Sequence, residues 1–147
     1  MITTTPSVEA TTRWVEIHND VSLGLKVLEA IVLELELAQF EPRQIRRIEL
    51  AYTEALLNAV RHGNEDDPGK MVLIEYGLSW NRFSLSIEDE GCGFNSSELD
   101  DPTEEENILR PGGRGLLLIR SLVSDVRFNS QGNRITLTME KRASSAA

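Results

Sequence analysis

Two spacings of apolar residues alternate along the chain, one typical of helices and one typical of strands. In Val21–Phe40 the apolar residues recur at three- and four-residue steps, as they do on the buried side of a helix. In Arg13–His18 they alternate with polar residues, as in a strand with one buried face. The whole chain read in this way predicts strand, helix, helix, strand, strand, helix, strand and strand: Arg13–His18, Val21–Phe40, Pro42–His62, Met71–Leu78, Arg82–Glu88, Arg114–Val123, Val126–Asn129 and Arg134–Glu140.

Local signals support several ends of these elements. Asn19 or Asp20 can cap the first helix, and Pro42 suits the first turn of the second. Gly63 follows the second helix as a natural stop. Helices that segregate from the strands of an antiparallel or mixed sheet predict an α+β fold, a two-layer sandwich with the helices on one face. We expect one domain at residues 12–140, between flexible tails at 1–11 and 141–147.

Size and charge narrow the classes of function. A chain of 147 residues has the usual size of one domain and can bury a core without disulfides. A net charge of −9 opposes binding to a nucleic-acid backbone, so no nucleic-acid partner is expected. No apolar run reaches the roughly 18 residues of a spanning helix, and Met1–Pro6 lacks a signal-peptide pattern. These features predict a cytoplasmic protein that does not bind membranes.

The first motif with chemical potential lies on the second helix, at Glu54, Asn58 and His62. Residues four apart lie along one stripe of a helix. Asn58 offers a neutral oxygen to Mg²⁺, and Glu54 could deprotonate a nucleophile that faces a phosphate. Arg61, almost one turn past Asn58, could reach phosphate oxygens. A solvated polar face is the alternative, with His62 interacting only with the dipole at the helix end.

The second motif, Asp89-Glu90-Gly91-Cys92-Gly93-Phe94, ends an alternating strand. Its glycines let the backbone bend and approach a ligand closely. A buried Asp89 could accept a hydrogen bond from the exocyclic amine of adenine. An ordinary turn at the end of a strand is the alternative. We interpret Cys92 as a packed small apolar residue.

The third motif, Pro111-Gly112-Gly113-Arg114-Gly115-Leu116, directly precedes an apolar helix. A glycine-rich loop that opens a helix presents free N–H groups and a positive dipole end to an anion. Arg114 could add a cation, although a flexible hinge would have the same composition. Between the second and third motifs, Asn95–Pro111 is acidic and poor in apolar residues, and we expect it to be a mobile loop that closes over bound nucleotide.

Together and in this order, the three motifs resemble the N, G1 and G2 boxes of the GHKL superfamily, whose ATP-binding domain has the Bergerat fold. Within that superfamily the chain is most similar to the stand-alone anti-sigma-factor serine kinases of bacterial partner-switching systems. The resemblance covers roughly residues 12–140 and includes the apolar stretch Leu116–Val126.

This resemblance implies a serine/threonine protein kinase that uses ATP and Mg²⁺. Glu54 would be the catalytic base, Asn58 the Mg²⁺ ligand and Asp89 the adenine acceptor. The remaining nucleotide-binding positions would be Arg61, His62, Gly91, Gly93, Gly112, Gly113, Arg114, Gly115 and Leu116. The substrate would be a serine of a STAS-type anti-anti-sigma protein, which competes with a sigma factor for a homodimeric kinase.

Two other functions stay open, and the chain departs from the family pattern at Arg114 inside the glycine loop and in a late strand. The chain could be a non-catalytic ATP-binding regulator, or the ATP-binding part of a histidine kinase. The second needs an upstream helical hairpin with a phospho-accepting histidine, and His18 lies on a strand-like segment. Members of the family often carry Gly-Thr-Thr in a late strand near the adenine, where this chain reads Gly132-Asn133-Arg134-Ile135-Thr136.

Overall fold

A computed structural model describes residues 11–92 and 113–142, except for the side chains at 113 and 114. Its five strands form one antiparallel sheet in the order β1-β2-β3-β5-β4. The predicted sequence of elements is confirmed, and so is the α+β class, with a sheet that is wholly antiparallel. The elements are β1 Thr11–His18, α1 Val21–Leu37, α2 Pro42–Leu57, a π-helix Asn58–Gly63, β2 Met71–Leu78, β3 Arg82–Asp89, α3 Gly113–Leu122, β4 Asp125–Phe128 and β5 Arg134–Glu140.

The core lies between the helices and one face of the sheet. Alternate residues of the central strands β2 and β3 point into it, because successive side chains of a strand face opposite sides. The buried apolar residues from sheet and helices form one cluster. Its largest fully buried members are Tyr52, Phe83, Ile31, Leu35, Ile48, Leu56, Ile74, Leu85, Ile87 and Ile119.

The α1 and α2 helices pack closely because Gly24 has no side chain. A Cβ atom at Gly24 would lie 2.4 Å from Cδ2 of Leu56 on α2. The Tyr52 hydroxyl donates a 2.6 Å hydrogen bond to the Gly24 carbonyl, so the polar end of this buried ring is satisfied. Burial raises the pKa of Tyr52, so its hydroxyl keeps the proton that it donates.

Capping explains where α1 begins and ends. Asp20 caps its start, because the carboxylate accepts from the Ser22 N–H at 2.9 Å. The helix ends at Leu37 rather than at Phe40, since Gln39 adopts a left-handed conformation with φ 61°. The Phe40 N–H then bonds back to the Leu35 carbonyl at 3.1 Å, and its ring is buried.

The second helix changes type before it ends, which the apolar spacing did not predict. Its α-helical part stops at Leu57, and Asn58–Gly63 continues as a π-helix. The Asn64 N–H bonds to the Ala59 carbonyl, five residues back, at 2.8 Å. The helix is therefore wider beyond Asn58, and His62 is exposed where Glu54 and Asn58 are half-buried.

The outer face of the sheet carries mostly polar side chains. Ser86 and Thr136 share a 2.8 Å hydrogen bond there, and Arg134 forms a salt bridge with Glu75. Beyond β5, Lys141 is held by two hydrogen bonds, so the predicted C-terminal tail is anchored at its first residue. Within residues 11–92 and 113–142, no helix has the length and apolar character needed to cross a membrane.

Candidate functional site

The first and third motifs meet where α3 begins beside the end of α2. A Cβ atom at Gly115 would lie 2.9 Å from Oε2 of Glu54, and 3.3 Å and 3.7 Å from the two amide atoms of Asn58. Gly115 therefore brings the backbone of α3 into contact with both side chains. Glu54 and Asn58 are half-buried, and neither side chain forms a hydrogen bond or ion pair with another described residue. Both groups can thus bind a ligand.

The second motif meets the end of the π-helix through a pair of glycines. A Cβ atom at Gly63 would lie 2.2 Å from an oxygen of the Asp89 carboxylate. A Cβ atom at Gly91 would lie 2.1 Å from the Gly63 carbonyl oxygen. Gly63 and Gly91 therefore have to lack side chains for the loop after β3 to lie against the helix end. The sequence pointed to Gly63 only as a helix stop, so its contact with Asp89 is a finding of the structure.

Asp89 is held in a half-buried position at the end of β3. Burial raises the pKa of its carboxyl group, and the nearby Glu88 raises it further. The Gly91 N–H donates a 2.8 Å hydrogen bond to Oδ1 of Asp89, which opposes that rise. A carboxylate that is partly stripped of water and already oriented by one backbone N–H is a strong acceptor for a ligand amine.

Two asparagines that the sequence motifs did not single out complete this region. Asn64 is fully buried, and its side chain accepts a 2.8 Å hydrogen bond from the Glu90 N–H. Asn133 donates from Nδ2 to the Asp89 carbonyl at 3.1 Å. Asn64 directly follows His62-Gly63, and Asn133 lies in the last hairpin turn. The sequence did not point to either side chain, because apolar spacing carries no information on a buried polar residue.

The other predicted site residues divide into three groups. Arg61 and His62 are on the π-helix with exposed side chains. Gly113, Arg114 and Leu116 lie in the first turn of α3, where Leu116 is buried and can offer a ligand only its backbone. The predicted positions Gly93 and Gly112, and the loop at 95–111, lie outside the described residues.

One expectation about a neighbouring residue is wrong, and the late strand that departs from the family pattern can now be located. Cys92 is exposed, so the interpretation of it as a packed residue was wrong.

Arg134 and Thr136 both point to the outer face of the sheet, where their partners are Glu75 and Ser86. The backbone of Arg134 pairs with Glu88, next to Asp89, but its side chain points to the outer face, away from the helices.

A cleft of about 290 Å³ lies at the opposite end of α2, lined by Arg43, Gln44 and Arg47 among others. The Gln44 side chain is satisfied there by the Glu140 carbonyl at 2.8 Å and the Arg142 N–H at 3.2 Å. None of the motif residues lines this cleft. The candidate site is therefore assigned from its chemistry and from the meeting of three motifs, not from cavity size.

Comparison with known proteins gives a consistent set of relatives. The sequence profile of the histidine kinase-like ATPase domain matches residues 9–139. The chain is 32% identical to a serine-protein kinase RsbW of Oceanobacillus iheyensis, over 63% of this chain and 62% of that protein. It is 30% identical to an anti-sigma F factor of Clostridium perfringens, over 72% of this chain and 79% of that protein. It is 29% identical to the serine-protein kinase RsbW of Bacillus subtilis, over 67% of this chain and 64% of that protein.

A similar fold is found in a crystal structure of the RsbU and RsbW domains of a Mycobacterium tuberculosis protein. The TM-score is 0.56 at 20% sequence identity, and the match covers 90% of this chain and 32% of that one. The chain thus spans about a third of the solved protein and 62% of the Oceanobacillus relative.

Proposed function

Because the chain belongs to the histidine kinase-like ATPase domain family, we propose that it is an ATP-dependent serine/threonine protein kinase and anti-sigma factor. The observation that carries this proposal is the meeting of Gly115 with Glu54 and Asn58. A glycine that leads into a helix, a carboxylate and a neutral amide oxygen are the groups needed to hold a phosphate, move a proton and bind a metal ion. The names of the relatives support the same activity.

Asp89 is the proposed acceptor for the amine of adenine. Its carboxylate lies against Gly63, and the loop through Gly91 is close enough to the helix end to form one wall of a base pocket. At the other side of the site, the N–H groups of the first turn of α3, from Gly113 to Leu116, would donate to the phosphates, with Gly112 just before them. Gly93, Arg61, His62 and Arg114 are further proposed contacts to the nucleotide.

Asn58 is the proposed ligand for Mg²⁺. Its side chain is half-buried beside Gly115 and makes no hydrogen bond to another described residue, which suits a neutral oxygen ligand. When bound, Mg²⁺ would neutralise phosphate charge and orient the phosphates. Asn58 would hold that ion on the helix that also carries Glu54.

Glu54 is the proposed general base. Its Oε2 lies beside Gly115, so the carboxylate is at the helix start that would hold the phosphates. Glu54 would accept the hydroxyl proton of a serine as that oxygen attacks the terminal phosphoryl group and ADP leaves. The serine would belong to a STAS-type anti-anti-sigma protein, which competes with a sigma factor for this chain. We also propose a homodimer in the cytoplasm.

The test is a Glu54→Gln variant, which keeps the size of the side chain and loses the basic carboxylate. Single-turnover transfer from labelled ATP to a STAS partner encoded beside this chain should slow by about a hundredfold or more, since a general base contributes about 10²–10⁴. Affinities for ATP and for the partner should change less than about threefold, because a base works mainly in the transition state. Glu49→Gln makes the same chemical change earlier on α2 and should transfer at the parental rate.

Three outcomes would count against the proposal. A Glu54→Gln protein that transfers at the parental rate would remove Glu54 as the base. A parent chain that binds ATP and the partner but transfers no phosphate would indicate a non-catalytic regulator. Phosphate found on a histidine rather than on a serine, stable to base and labile to acid, would indicate a histidine kinase.

A further inference from the structure

Asn64 connects four separate segments of the chain through one fully buried side chain and its backbone. Its Nδ2 donates to Oδ1 of Asn19 at 3.0 Å and to the Met71 carbonyl at 2.9 Å, and its Oδ1 accepts from the Glu90 N–H at 2.8 Å. Its own N–H bonds to Ala59 on the π-helix. Every hydrogen-bonding group of this buried amide has a partner, and the Glu90 bond reaches the loop that follows β3.

Asn133 also binds the loop after β3, at the carbonyl of Asp89 rather than at the N–H of Glu90. Its Nδ2 donates to the Asp89 carbonyl at 3.1 Å, and its own carbonyl accepts from the Asp89 N–H at 2.9 Å. Asn129 fixes the Asn133 side chain in turn, because its Nδ2 donates to Oδ1 of Asn133 at 2.7 Å. Asn133 is therefore itself oriented before it contacts Asp89.

The Asp89 carbonyl and the Glu90 N–H belong to one peptide unit. Asn133 binds the acceptor of that unit and Asn64 binds its donor, so two side-chain amides hold the peptide plane from two sides. A peptide unit is planar, and fixing it sets ψ of Asp89 and φ of Glu90. The direction of the Asp89 carboxylate depends on those angles, as does the Gly91 N–H that bonds to it.

We propose that Asn64 and Asn133 are positioning residues that clamp the Asp89–Glu90 peptide unit and so aim the Asp89 carboxylate at the base of the nucleotide. The inference rests on the proposed function, in which Asp89 reads the adenine amine. Neither asparagine needs to touch the nucleotide. Their effect falls on the choice of base, because a carboxylate that points in several directions forms a weaker hydrogen bond to one fixed amine.

Four variants separate positioning from general stability. Asn64→Ala removes the acceptor for Glu90, and Asn133→Asp replaces the donor to Asp89 by an oxygen. Asn64→Asp adds the same charge as Asn133→Asp but keeps an oxygen opposite Glu90, and it loses the bonds to Asn19 and Met71 instead. Tyr52→Phe removes one buried hydrogen bond far from the loop.

The measurement is calorimetric affinity for ATP and for inosine triphosphate, which lacks the amine, on all four variants and the parent. The parent should prefer ATP about tenfold or more, as expected for one charged hydrogen bond. Asn64→Ala and Asn133→Asp should lower ATP affinity about fivefold and leave inosine triphosphate within about twofold. Asn64→Asp and Tyr52→Phe should keep the parental preference although their melting temperatures fall.

Several results would overturn the clamp. One is that Asn64→Ala and Asn133→Asp both prefer ATP over inosine triphosphate as strongly as the parent does. Another is that this preference falls in all four variants in proportion to their loss of stability. If Asn64→Ala does not fold, Asn133→Asp decides alone.

Exchange of the Glu90 amide hydrogen in nucleotide-free protein gives a second readout. It should accelerate about tenfold or more in Asn64→Ala and stay slow in Asn64→Asp, because the acceptor is kept. Equal exchange in the parent and in Asn64→Ala would also overturn the clamp. A parent that binds both nucleotides equally but keeps Glu90 protected would show that the clamp exists while the proposed reading of adenine fails.

Discussion

At the scale of single residues, Asp89 shows how a binding group can oppose folding. The carboxylate is half-buried, and burial raises its pKa above the ordinary value of 3.8. The charged form is therefore less favourable in the folded chain than in the unfolded one. Compared with a neutral group, Asp89 therefore costs no stability below pH about 3.8, where it is protonated in both states, and it costs the most once the pH has risen above the raised pKa.

This linkage predicts that Asp89→Asn separates stability from binding. The amide oxygen can still accept from the Gly91 N–H, so the loop keeps that bond. ATP affinity should fall about tenfold, or about 1.4 kcal/mol, because the charged acceptor for the amine is lost. Thermal unfolding at neutral pH should show a variant at least as stable as the parent, and the gap should close in acid.

Two results would contradict that account of Asp89. Unchanged ATP affinity would remove Asp89 from the binding site. A variant that is less stable than the parent by the same amount at neutral and acidic pH would show that burial of the charge has no cost here.

At the scale of elements, the site depends on three glycines, at positions 63, 91 and 115, each of which lies in close contact with another element. Gly91 faces the carbonyl of Gly63, which cannot move without the helix end. Gly115 instead faces the end of the Glu54 side chain, which can rotate away. Alanine at Gly91 should therefore disrupt the loop after β3. Alanine at Gly115 should only displace the Glu54 side chain.

We accordingly expect Gly115→Ala to fold well and to transfer phosphate slowly. Alanine in a helix is favoured over glycine by about 0.5–1 kcal/mol, so α3 should not be weakened. The new methyl group would displace the Glu54 carboxylate, and single-turnover transfer should slow about tenfold or more, since small misplacements of a catalytic group are costly. Gly91→Ala should instead lose ATP binding.

Gly77→Ala is the matched control for both glycine variants. A Cβ atom there would meet its nearest neighbour, Oγ1 of Thr12, at an ordinary 3.5 Å. Its transfer rate and ATP affinity should equal those of the parent. A Gly115→Ala protein that transfers phosphate as fast as Gly77→Ala would argue against a catalytic Glu54 beside α3.

At the scale of the whole molecule, the sheet separates two environments. Its inner face packs against the helices, and the candidate site lies at the ends of these elements. Its outer face holds the Arg134–Glu75 salt bridge, in which both side chains are about a quarter exposed, at 27% and 22%. Substitutions on the outer face should therefore affect stability without affecting the nucleotide site.

Arg134→Thr tests this separation. It restores the residue type that resembling proteins often have, and we expect ATP affinity to stay within about twofold of the parent. Stability should fall by about 1 kcal/mol, the upper end for a pair at a surface. Arg82→Thr, which breaks the more exposed Arg82–Glu140 pair, should cost less. A clear gain in ATP affinity in Arg134→Thr would place this position at the nucleotide.

Much of the architecture was determined by the sequence itself, because apolar spacing, caps and turn residues act over a few neighbouring positions. Alternating apolar residues correctly predicted β2 and β3. The start of α1 was predicted from Asp20, and the start of α2 from Pro42. The order of the three motifs was equally local, and their resemblance to a family of ATPases is confirmed. The role of each site residue stays a prediction.

The tertiary structure alone decided which groups meet. Gly63 was visible as a helix stop, but its contact with Asp89 depends on how β3 approaches the helix end. The π-helix at Asn58–Gly63 and the burial of Asn64 depend on partners that lie up to 45 residues away in sequence. Apolar spacing reports which side of an element is buried, whereas a buried amide is stable only where distant donors and acceptors satisfy it, and the folded chain supplies them.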